Sequence, residues 1–306
     1  MSMFSTRLAR AVIEKKNAVL VGLDPRFDSL PAIFRNGIDS SDAAAVSSTF
    51  KQFCNGVIDV VAPLVPAVKP QAAFFEQYGP AGMTVLGEVI RYARQKGLLV
   101  IFDGKRNDIG STAEAYAAGI LGRDSAWGAD ALTVSPYLGD DSIEPFVKTA
   151  DERDAGIFVL VKTSNPGGAM LQDIVVDGKP IYHRVAEHVE KLSRANTDSE
   201  TGYGNVGAVV GATWPEQLVE LRRTMPSAWF LVPGFGSQGG TAKDVLPAFD
   251  EKGLGAIINN SRGIIFAHSR KPFASQFGEN RWQDAVNAAT REMIEQLPAP
   301  KSLKSF

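Results

Sequence analysis

The sequence repeats one pattern eight times, and this repeat constrains the fold more than any other feature. Each repeat is a short run of apolar residues that ends in a polar residue, a proline or a glycine. The run Leu98–Phe102 shows the type, because it holds five large apolar residues without alternation. Such runs are typical of parallel strands with two buried faces. We therefore predict eight strands with their polar ends, within residues 18–24, 66–69, 98–103, 131–137, 156–164, 206–213, 229–236 and 255–262.

Sequence of helical character separates these runs, so predicted strands and helices alternate along the chain. This order predicts an α/β protein, a (β/α)8 TIM barrel that forms one domain over residues 1–306. A doubly wound open sheet is the structural alternative. It would need a glycine-rich phosphate-binding turn after the first strand, and Gly22-Leu-Asp-Pro-Arg is not such a turn. Apolar residues at helical spacing before residue 13 also predict a short N-terminal amphipathic helix.

The longest stretch between two predicted strands, residues 166–205, predicts an insertion between strands 5 and 6. Within it, Asp177-Gly178 lies between two apolar runs, which predicts a small hairpin followed by a helix and a polar loop. The insertion could be a lid over a site or decoration of the barrel. After the third strand, Ser111 and Glu114 have the spacing of a capping box, which predicts that a helix starts there.

Charge and composition exclude several classes of protein. The net charge of −2 gives no basic field of the kind that duplex nucleic acid requires, so we expect no nucleic-acid partner. No apolar run approaches the ~18 residues of a membrane span, and the N-terminus lacks the apolar core of a secretory signal. The single cysteine, Cys54, provides no disulfide framework. We therefore expect a cytoplasmic protein without a membrane partner.

Charged residues follow the first three predicted strands, namely Asp24, Lys69 and the pair Asp103 and Lys105. The C-terminal ends of barrel strands converge on one mouth, so these side chains should meet there. Asp103 and Lys105 are two residues apart on a strand and should project side by side. The carboxylates of Asp103 and Asp108 balance the ammonium groups of Lys69 and Lys105, which offsets the cost of desolvating them. The array is a catalytic site or a structural ion-pair network, and its place at the mouth favours catalysis.

A glycine-rich stretch, residues 233–240, follows the seventh strand, and Ser261-Arg262-Gly263 follows the eighth. In this fold the loops after strands 7 and 8 form the usual phosphate site, where backbone N–H groups and an arginine bind the anion. A glycine-rich turn alone could be a simple connector, but its pairing with Arg262 predicts a phosphate-bearing ligand. The three histidines do not follow strands, so neither a zinc site nor a histidine base is indicated: His183, His188 and His268.

Residues 103–109, Asp-Gly-Lys-Arg-Asn-Asp-Ile, resemble the Asp-x-Lys-x-x-Asp-Ile signature of the orotidine 5′-phosphate decarboxylase family. The resemblance extends over most of the chain, through Gly22-Leu-Asp-Pro, Lys69-Pro-Gln, Thr163-Ser-Asn-Pro-Gly, the 233–238 loop and Arg262. The Asp-Gly-Lys-Arg variant and the chain length resemble the bacterial long-chain (type 2) branch. The resemblance implies a lyase that decarboxylates orotidine 5′-phosphate to UMP without a cofactor or a metal ion.

The resemblance also implies roles for individual residues. It places four of them in a charged catalytic array: Lys69, Asp103, Lys105 and Asp108. It implies that Asp24 binds the ribose and Ser164 the pyrimidine edge, and that the phosphate is held by Gln238 and Arg262, with Pro233 and Gly234 also in the substrate-binding set. In a homodimer with shared active sites, the residues that reach the partner's site would be Asp108, Ile109 and Thr112. Whether Thr163 shares the role of Ser164 stays open.

Fixed charges would drive the implied reaction, because carbon 6 of the pyrimidine has no adjacent carbonyl group to accept the electron pair. Asp103 would disfavour the bound substrate carboxylate, while Lys105 would stabilise the carbanion and then protonate it. Two alternatives stay open. A magnesium-dependent sugar-phosphate decarboxylase or aldolase of the same barrel suprafamily would want a second carboxylate where this chain has Lys69. A non-catalytic nucleotide-phosphate binder would have no reason to retain Lys105 between two acids.

Overall fold

Eight parallel strands close into a barrel in the computed structural model, which describes residues 2–236 and 239–301. The predicted (β/α)8 fold and its eight strands are confirmed. Around the barrel, each strand pairs with its neighbour in the order β1, β2, β3, β4, β5, β8, β9, β10, and β10 returns to β1. The strands in chain order are β1 (Val19–Leu23), β2 (Ala67–Pro70), β3 (Leu99–Arg106), β4 (Ala131–Val134), β5 (Gly156–Lys162), β6 (Val175–Val176), β7 (Lys179–Pro180), β8 (Val206–Val210), β9 (Phe230–Val232) and β10 (Ala256–Asn260).

Helices connect successive barrel strands and pack on the outside of the barrel. Short 3-10 helices add to them at Phe27–Ser29, Pro166–Gly168, Leu246–Ala248 and Ala267–Ser269. The α-helices of the described chain are α1 (Phe4–Lys15), α2 (Ala32–Arg35), α3 (Ala43–Val61), α4 (Ala73–Glu76), α5 (Gly79–Gln95), α6 (Gly110–Ile120), α7 (Glu144–Glu152), α8 (Ala169–Gln172), α9 (Ile181–Ala195), α10 (Pro215–Thr224), α11 (Ala242–Val245), α12 (Arg262–Ile265), α13 (Phe273–Gln276) and α14 (Trp282–Gln296).

The N-terminal helix α1 packs its apolar residues against the core formed by the inward-facing residues of the barrel strands. Its apolar face, which includes Phe4, Leu8 and Val12, is fully buried. The Phe4 ring meets the Phe158 ring edge to face, with centroids 6.0 Å apart. A Cβ atom at Gly156 would come within 2.2 Å of the Phe4 ring, so glycine makes room for this helix. The helix therefore closes the end of the barrel at which the strands begin, and the opposite end stays open as the mouth.

Side-chain alternation along the strands separates two apolar cores. On β1, Val19, Val21 and Leu23 face the surrounding helices, whereas Leu20 faces the barrel interior. Both faces of these strands are buried, which explains why their sequences are continuously apolar instead of alternating. The polar residues that do occur on the inner face lie near the C-terminal strand ends, so they are concentrated at the mouth.

The predicted hairpin between strands 5 and 6 of the barrel is confirmed. Strands β6 and β7 pair antiparallel, and their two-residue turn has positive φ at Asp177 (51°) and Gly178 (77°). This turn type matches the twist of the strands it joins. The predicted helix after the hairpin is α9, which packs against β5 and β8 as the ordinary barrel helix of this position. The added segment therefore consists of residues 163–180, before α9, and the polar loop 196–205 after it.

The capping-box prediction at Ser111 and Glu114 is wrong. Helix α6 already begins at Gly110, and Ile109 precedes it without a side-chain cap. The reason is that β3 continues through the charged residues to Arg106, so only three residues remain before the helix starts. The N–H of Ile109 instead donates to the Asp108 carboxylate, at 2.9 Å. No helix in the described part of the chain is long and apolar enough to cross a membrane.

Candidate active site

A cavity of about 390 Å³ opens at the C-terminal mouth of the barrel. Seven strands contribute inward-facing residues to its walls, and residues of the loops complete them; β3 contributes Lys105 in addition to Asp103. On β2, β3 and β4 these residues are Lys69, Asp103 and Thr133, while β5, β8, β9 and β10 contribute Leu160, Val209, Leu231 and Asn259. Six of the predicted site residues line this one cavity: Asp24, Lys69, Asp103, Lys105, Ser164 and Pro233.

Asp103 lies at the centre of the charged array, and four groups bond its carboxylate. Lys105 Nζ donates to Oδ1 at 2.7 Å, and Thr133 Oγ1 donates to the same oxygen at 2.9 Å. Lys69 Nζ forms an ion pair with Oδ2, to which Gln71 Nε2 also donates at 2.9 Å. Both oxygens are therefore fully engaged by protein groups, and the side chain of Asp103 is fixed in one orientation.

The two lysines determine the protonation of this array. Burial alone would raise the pKa of Asp103, but the ammonium groups of Lys69 and Lys105 outweigh it and hold that pKa well below its usual range. Burial alone would lower the pKa of Lys69, but the carboxylates of Asp103 and Asp24 reverse this and raise it. The array is therefore ionised at neutral pH, with a carboxylate between two cations.

The two lysines differ in access to the cavity. The Lys69 side chain is 5% exposed, whereas that of Lys105 is 47% exposed. The backbone at Lys105 has a φ of 45°, a left-handed conformation that costs a non-glycine residue about 1–2 kcal/mol. The N–H of Lys105 donates to Thr133 Oγ1 at 2.9 Å, which helps to hold this conformation. Lys105 is therefore the cation of the array that a bound ligand can reach.

Sequence reasoning missed two residues that position the array, Gln71 and Thr133. Thr133 bonds both the Asp103 carboxylate and the Lys105 backbone, and Gln71 bonds the other oxygen of Asp103. Thr133 lies inside an apolar run and is β-branched, so it fits a strand pattern without any further explanation. The alternation of β4 was an available signal, because it places Thr133 on the inner face, at the mouth.

Asp24 has a different environment from Asp103. Burial raises the pKa of Asp24, and the opposing effect of Lys69 does not cancel it. Its Oδ1 atom is buried and has no hydrogen-bond partner within residues 2–236 and 239–301. A buried oxygen without a partner costs folding free energy, and the described residues supply no group that offsets this cost for Asp24 Oδ1.

The glycine-rich loop after β9 folds back on itself beside the start of α12. Gly234 and Gly236 have φ values of 97° and 70°, which residues with a Cβ rarely adopt. The N–H of Gly236 donates to the Gly240 carbonyl at 2.8 Å, and the N–H of Gly240 donates to the Gly234 carbonyl at 3.1 Å. Arg262, the first residue of α12, lies on the neighbouring strand exit. The predicted phosphate ligand Gln238 lies outside the described residues.

Five predicted residues that the structure describes do not line this cavity: Gly234 and Arg262 after β9 and β10, and Asp108, Ile109 and Thr112 after β3. Asp108, Ile109 and Thr112 lie beyond the end of β3 and at the start of α6, and the Asp108 carboxylate bonds the adjacent N–H of Ile109. The Ile109 side chain is apolar and 57% exposed. The exit of β3 thus divides into residues that line the cavity, Asp103 and Lys105, and residues that lie outside it.

The loop after β5 is tied down at both of its ends. Thr163, Ser164 and Asn165 line the cavity. The Gln172 amide accepts from the N–H of Thr163 at 3.0 Å and donates to its Oγ1 at 2.8 Å. Lys162, which is 1% exposed, forms an ion pair with Asp173. Both pairs connect the end of β5 to the end of α8, so the loop between them has a defined position beside the cavity.

A larger cleft, about 670 Å³, lies at the opposite end of the barrel. It contains Arg7, Arg123 and Arg153 together with acidic residues, but all three arginines already have partners within the protein, Arg123 through Asp130 at 3.7 Å. Arg7 pairs with the buried Asp130, and Arg153 donates to backbone carbonyl groups. Active sites of this fold form at the C-terminal strand ends, which favours the smaller cavity. Within the described ranges, no three His, Cys, Asp or Glu side chains are grouped to hold a metal ion.

Comparison with known proteins agrees with the geometry of the mouth. The model of the Orotidine 5′-phosphate decarboxylase / HUMPS family matches residues 35–277. The chain belongs to this family. An orotidine 5′-phosphate decarboxylase of Rhodopirellula baltica is 59% identical over 301 residues, which cover 97% of this chain and 99% of the relative. One of Haloarcula marismortui is 43% identical over 265 residues, covering 86% and 87%.

Solved structures of the decarboxylase family share the fold over nearly the whole chain. The Leishmania donovani OMP decarboxylase is 33% identical and superposes with a TM-score of 0.74, covering 97% of each chain. The orotidine 5′-monophosphate decarboxylase of Methanocaldococcus jannaschii, solved with the inhibitor BMP, is 19% identical with a TM-score of 0.60 and covers 92% of this chain and 98% of that one. The latter likeness concerns the fold alone.

Proposed function

We propose that this protein decarboxylates orotidine 5′-phosphate to UMP in de novo pyrimidine biosynthesis. It is a carboxy-lyase of the orotidine 5′-phosphate decarboxylase family. The observation that supports the assignment most strongly is the Asp103 carboxylate, which two lysines keep ionised inside a cavity next to a glycine-rich loop. A charge fixed in this way can act on a reacting group without reorganisation of the site.

The ligand orientation follows from the positions of the polar groups around the mouth. The phosphate would bind at the loop that contains Pro233, Gly234 and Gln238, with Arg262 as the cationic contact. Ser164, on the loop after β5, would bind the pyrimidine edge. The ribose would then lie between these two ends, next to Asp24. This placement directs carbon 6 of the pyrimidine towards Asp103 and Lys105 on β3.

In the chemical step, the bond between carbon 6 and the carboxylate carbon breaks and carbon dioxide leaves. The electron pair stays on carbon 6, where the Lys105 ammonium stabilises it and then donates a proton, forming UMP. Asp103 lies beside the substrate carboxylate and disfavours the bound ground state. Binding energy from the distant phosphate offsets this repulsion. Lys69 keeps Asp103 ionised, and Gln71 and Thr133 keep it oriented.

We also propose that two copies of the chain form a homodimer with shared active sites. Asp108, Ile109 and Thr112 lie outside their own cavity, and Ile109 presents an exposed apolar side chain beside Asp108. In this arrangement Asp108 reaches the partner's Lys105. Mixing inactive Lys105→Ala and Asp108→Asn chains should restore up to about a quarter of wild-type activity, because half of the dimers contain one intact site. A mixture as inactive as its components would contradict shared sites.

The loop segment 163–180 is the proposed lid over the cavity. Three of its residues line the cavity, and Gln172 and Asp173 hold its middle against the end of β5. UMP should therefore slow proteolysis within 163–180 more than within the polar loop 196–205.

We place the reaction in the cytoplasm, because the chain has a single cysteine, Cys54, which is free and buried.

A magnesium-dependent sugar-phosphate lyase fits the site less well. Both oxygens of Asp103 are engaged, and the Lys69 ammonium occupies the place of a second carboxylate ligand and would repel a divalent cation. A non-catalytic nucleotide binder would not require Lys105 in a strained backbone conformation.

Spectrophotometric turnover of orotidine 5′-phosphate in excess chelator tests the assignment. We expect full activity under these conditions, because every group in the proposed chemistry belongs to the polypeptide chain. Activity that appears only on addition of magnesium would favour the metal-dependent lyase instead. Binding of UMP without any turnover would favour the non-catalytic binder.

A further inference from the structure

Asn259 is a polar exception in the apolar half of the cavity wall. Strands β2, β3 and β4 supply polar inward-facing residues, whereas β5, β8 and β9 supply Leu160, Val209 and Leu231. Asn259 lies on β10, the strand that pairs with β9, two residues beyond the register partner of Leu231. An apolar residue at this position would complete the apolar half, as Ile257 does two residues earlier on the same face. An amide at this place therefore requires an explanation.

The amide of Asn259 is buried and unpaired. The residue is 8% exposed, and its Oδ1 atom has no hydrogen-bond partner in residues 2–236 and 239–301. The neighbouring Asn260 is equally buried, but its Oδ1 accepts from the N–H of Gly263 at 3.1 Å. The two adjacent amide oxygens thus differ, because that of Asn260 supports the turn into α12 and that of Asn259 has no partner among the described residues. A buried polar group without a partner costs about 1–3 kcal/mol.

The space for this amide comes from the neighbouring strand β1. Leu20 of β1 is the register partner of Asn259, and Gly22 is the next residue of β1 on the same face. A Cβ atom at Gly22 would lie 3.2 Å from Asn259 Oδ1 and 2.7 Å from Ser261 Cβ, so a side chain there would crowd the amide. Two residues after Gly22, Asp24 also carries a buried oxygen without a partner. The two unpaired oxygens therefore lie near the C-terminal ends of the adjacent strands β1 and β10 and line the same cavity.

We propose that Asn259 binds a hydroxyl group of the ribose together with Asp24. This inference rests on the proposed function, because that function places the phosphate at the loops after β9 and β10 and the base near Ser164. The sugar then lies above β1 and β10. An amide can donate to a hydroxyl oxygen and accept from a hydroxyl hydrogen, whereas a carboxylate can accept only. Asn259 and Asp24 thus provide the complementary groups that a sugar hydroxyl needs, and the nucleotide satisfies both.

The test is a cycle that removes either the amide or a ribose hydroxyl. Calorimetry would measure the dissociation constants of UMP, 2′-deoxy-UMP and 3′-deoxy-UMP for the wild type and Asn259→Ala. For the wild type, loss of the contacted hydroxyl should weaken binding about three- to tenfold, as expected for one hydrogen bond. Asn259→Ala should weaken UMP binding by a similar factor and should lose most of the discrimination against one of the deoxynucleotides. Asn55→Ala provides the matched control, because Asn55 also has a buried unpaired Oδ1 but lies on α3.

Equal discrimination between UMP and both deoxynucleotides in wild type and Asn259→Ala would overturn the assignment. If the alanine variant unfolds, Asn259→Leu keeps a similar volume without hydrogen-bonding groups and gives the same comparison. Failure of the proposed function is observed separately, in the wild type. Binding of UMP without release of carbon dioxide from orotidine 5′-phosphate would refute the activity and leave the ribose contact to be judged by the cycle. A wild type that binds no UMP would refute both.

Discussion

The two sides of the cavity differ in whether their buried polar groups have partners within the protein. On the β2–β4 side, the protein itself bonds both oxygens of Asp103, through two lysines, a threonine and a glutamine. On the β1–β10 side, Asp24 and Asn259 keep buried oxygens without partners in the described chain. The first side is therefore organised before any ligand arrives, and the second is completed by the ligand. Fixed charges suit catalysis, and unpaired groups suit recognition.

This contrast predicts that Asp103→Asn causes the largest loss of stability at the site. The substitution leaves the buried Lys69 ammonium without its main counter-charge, which should cost about 3–5 kcal/mol in the free energy of unfolding. Folding lowers the pKa of Asp103. Its carboxylate therefore stabilises the protein at pH values above the pKa of the unfolded chain, and this stabilisation is lost as the pH falls towards the folded-state pKa. The difference from wild type in urea unfolding should thus persist from pH 8 to pH 5 and shrink below about pH 4.

Asp177→Asn is the matched control for that experiment, since the Asp177 side chain is 85% exposed in the hairpin turn. It should change the free energy of unfolding by less than about 0.5 kcal/mol. An Asp103→Asn protein as stable as this control at pH 7 would show that the carboxylate is not the counter-charge of Lys69.

Arg262→Ala should have the next largest effect, and that effect should be on binding. A charge-assisted contact to a phosphate contributes about 1.5–3 kcal/mol, so the apparent affinity for orotidine 5′-phosphate should fall about 10- to 100-fold. Steady-state kinetics and UMP calorimetry would both measure it. Arg281→Ala is the control, because Arg281 is exposed and pairs with Asp284 on α14. Unchanged affinity in the Arg262 variant would show that the phosphate does not bind beside Arg262.

Asp24→Asn should give the smallest change in stability, and of opposite sign to Asp103→Asn. Burial raises the pKa of Asp24, so its stabilising effect is present at low pH and is lost as pH rises through the folded-state pKa. The ionised carboxylate therefore costs stability at pH 7. Asparagine should raise the free energy of unfolding by up to about 1 kcal/mol while weakening UMP binding. If Asp24→Asn destabilised the ligand-free protein, the Asp24 carboxylate would stabilise the fold as that of Asp103 does.

Most of the fold could be predicted from the sequence, because both faces of the barrel strands are buried and their apolar runs are continuous. The strand exits then identified Asp24, Lys69, Asp103 and Lys105 as neighbours, since barrel geometry brings these ends together. The start of α6 could not be predicted from Ser111 and Glu114. The length of β3 and its pairing with β4 set that position, and local capping preferences did not decide it.

The polar residues inside the strands were the part of the site that the sequence concealed. Thr133 and Asn259 lie within apolar runs, where a single polar residue carries no clear signal. Their importance depends on which face of the strand they occupy and on which partners they meet, and both are properties of the closed barrel. Asp108 presents the converse case, because its motif predicted a place in the array while in the single chain it does not line the cavity.

The separation of catalysis from ligand recognition is tested most directly by Lys105→Ala, when turnover and UMP binding are measured on the same protein. We predict that turnover of orotidine 5′-phosphate falls at least about a thousandfold, while the dissociation constant of UMP changes by less than about tenfold. Lys51→Ala, which removes a surface lysine of α3 that pairs with Glu88, should leave both unchanged. Full turnover in Lys105→Ala would contradict its role as proton donor, and parallel loss of turnover and binding would contradict the separation of catalysis from recognition.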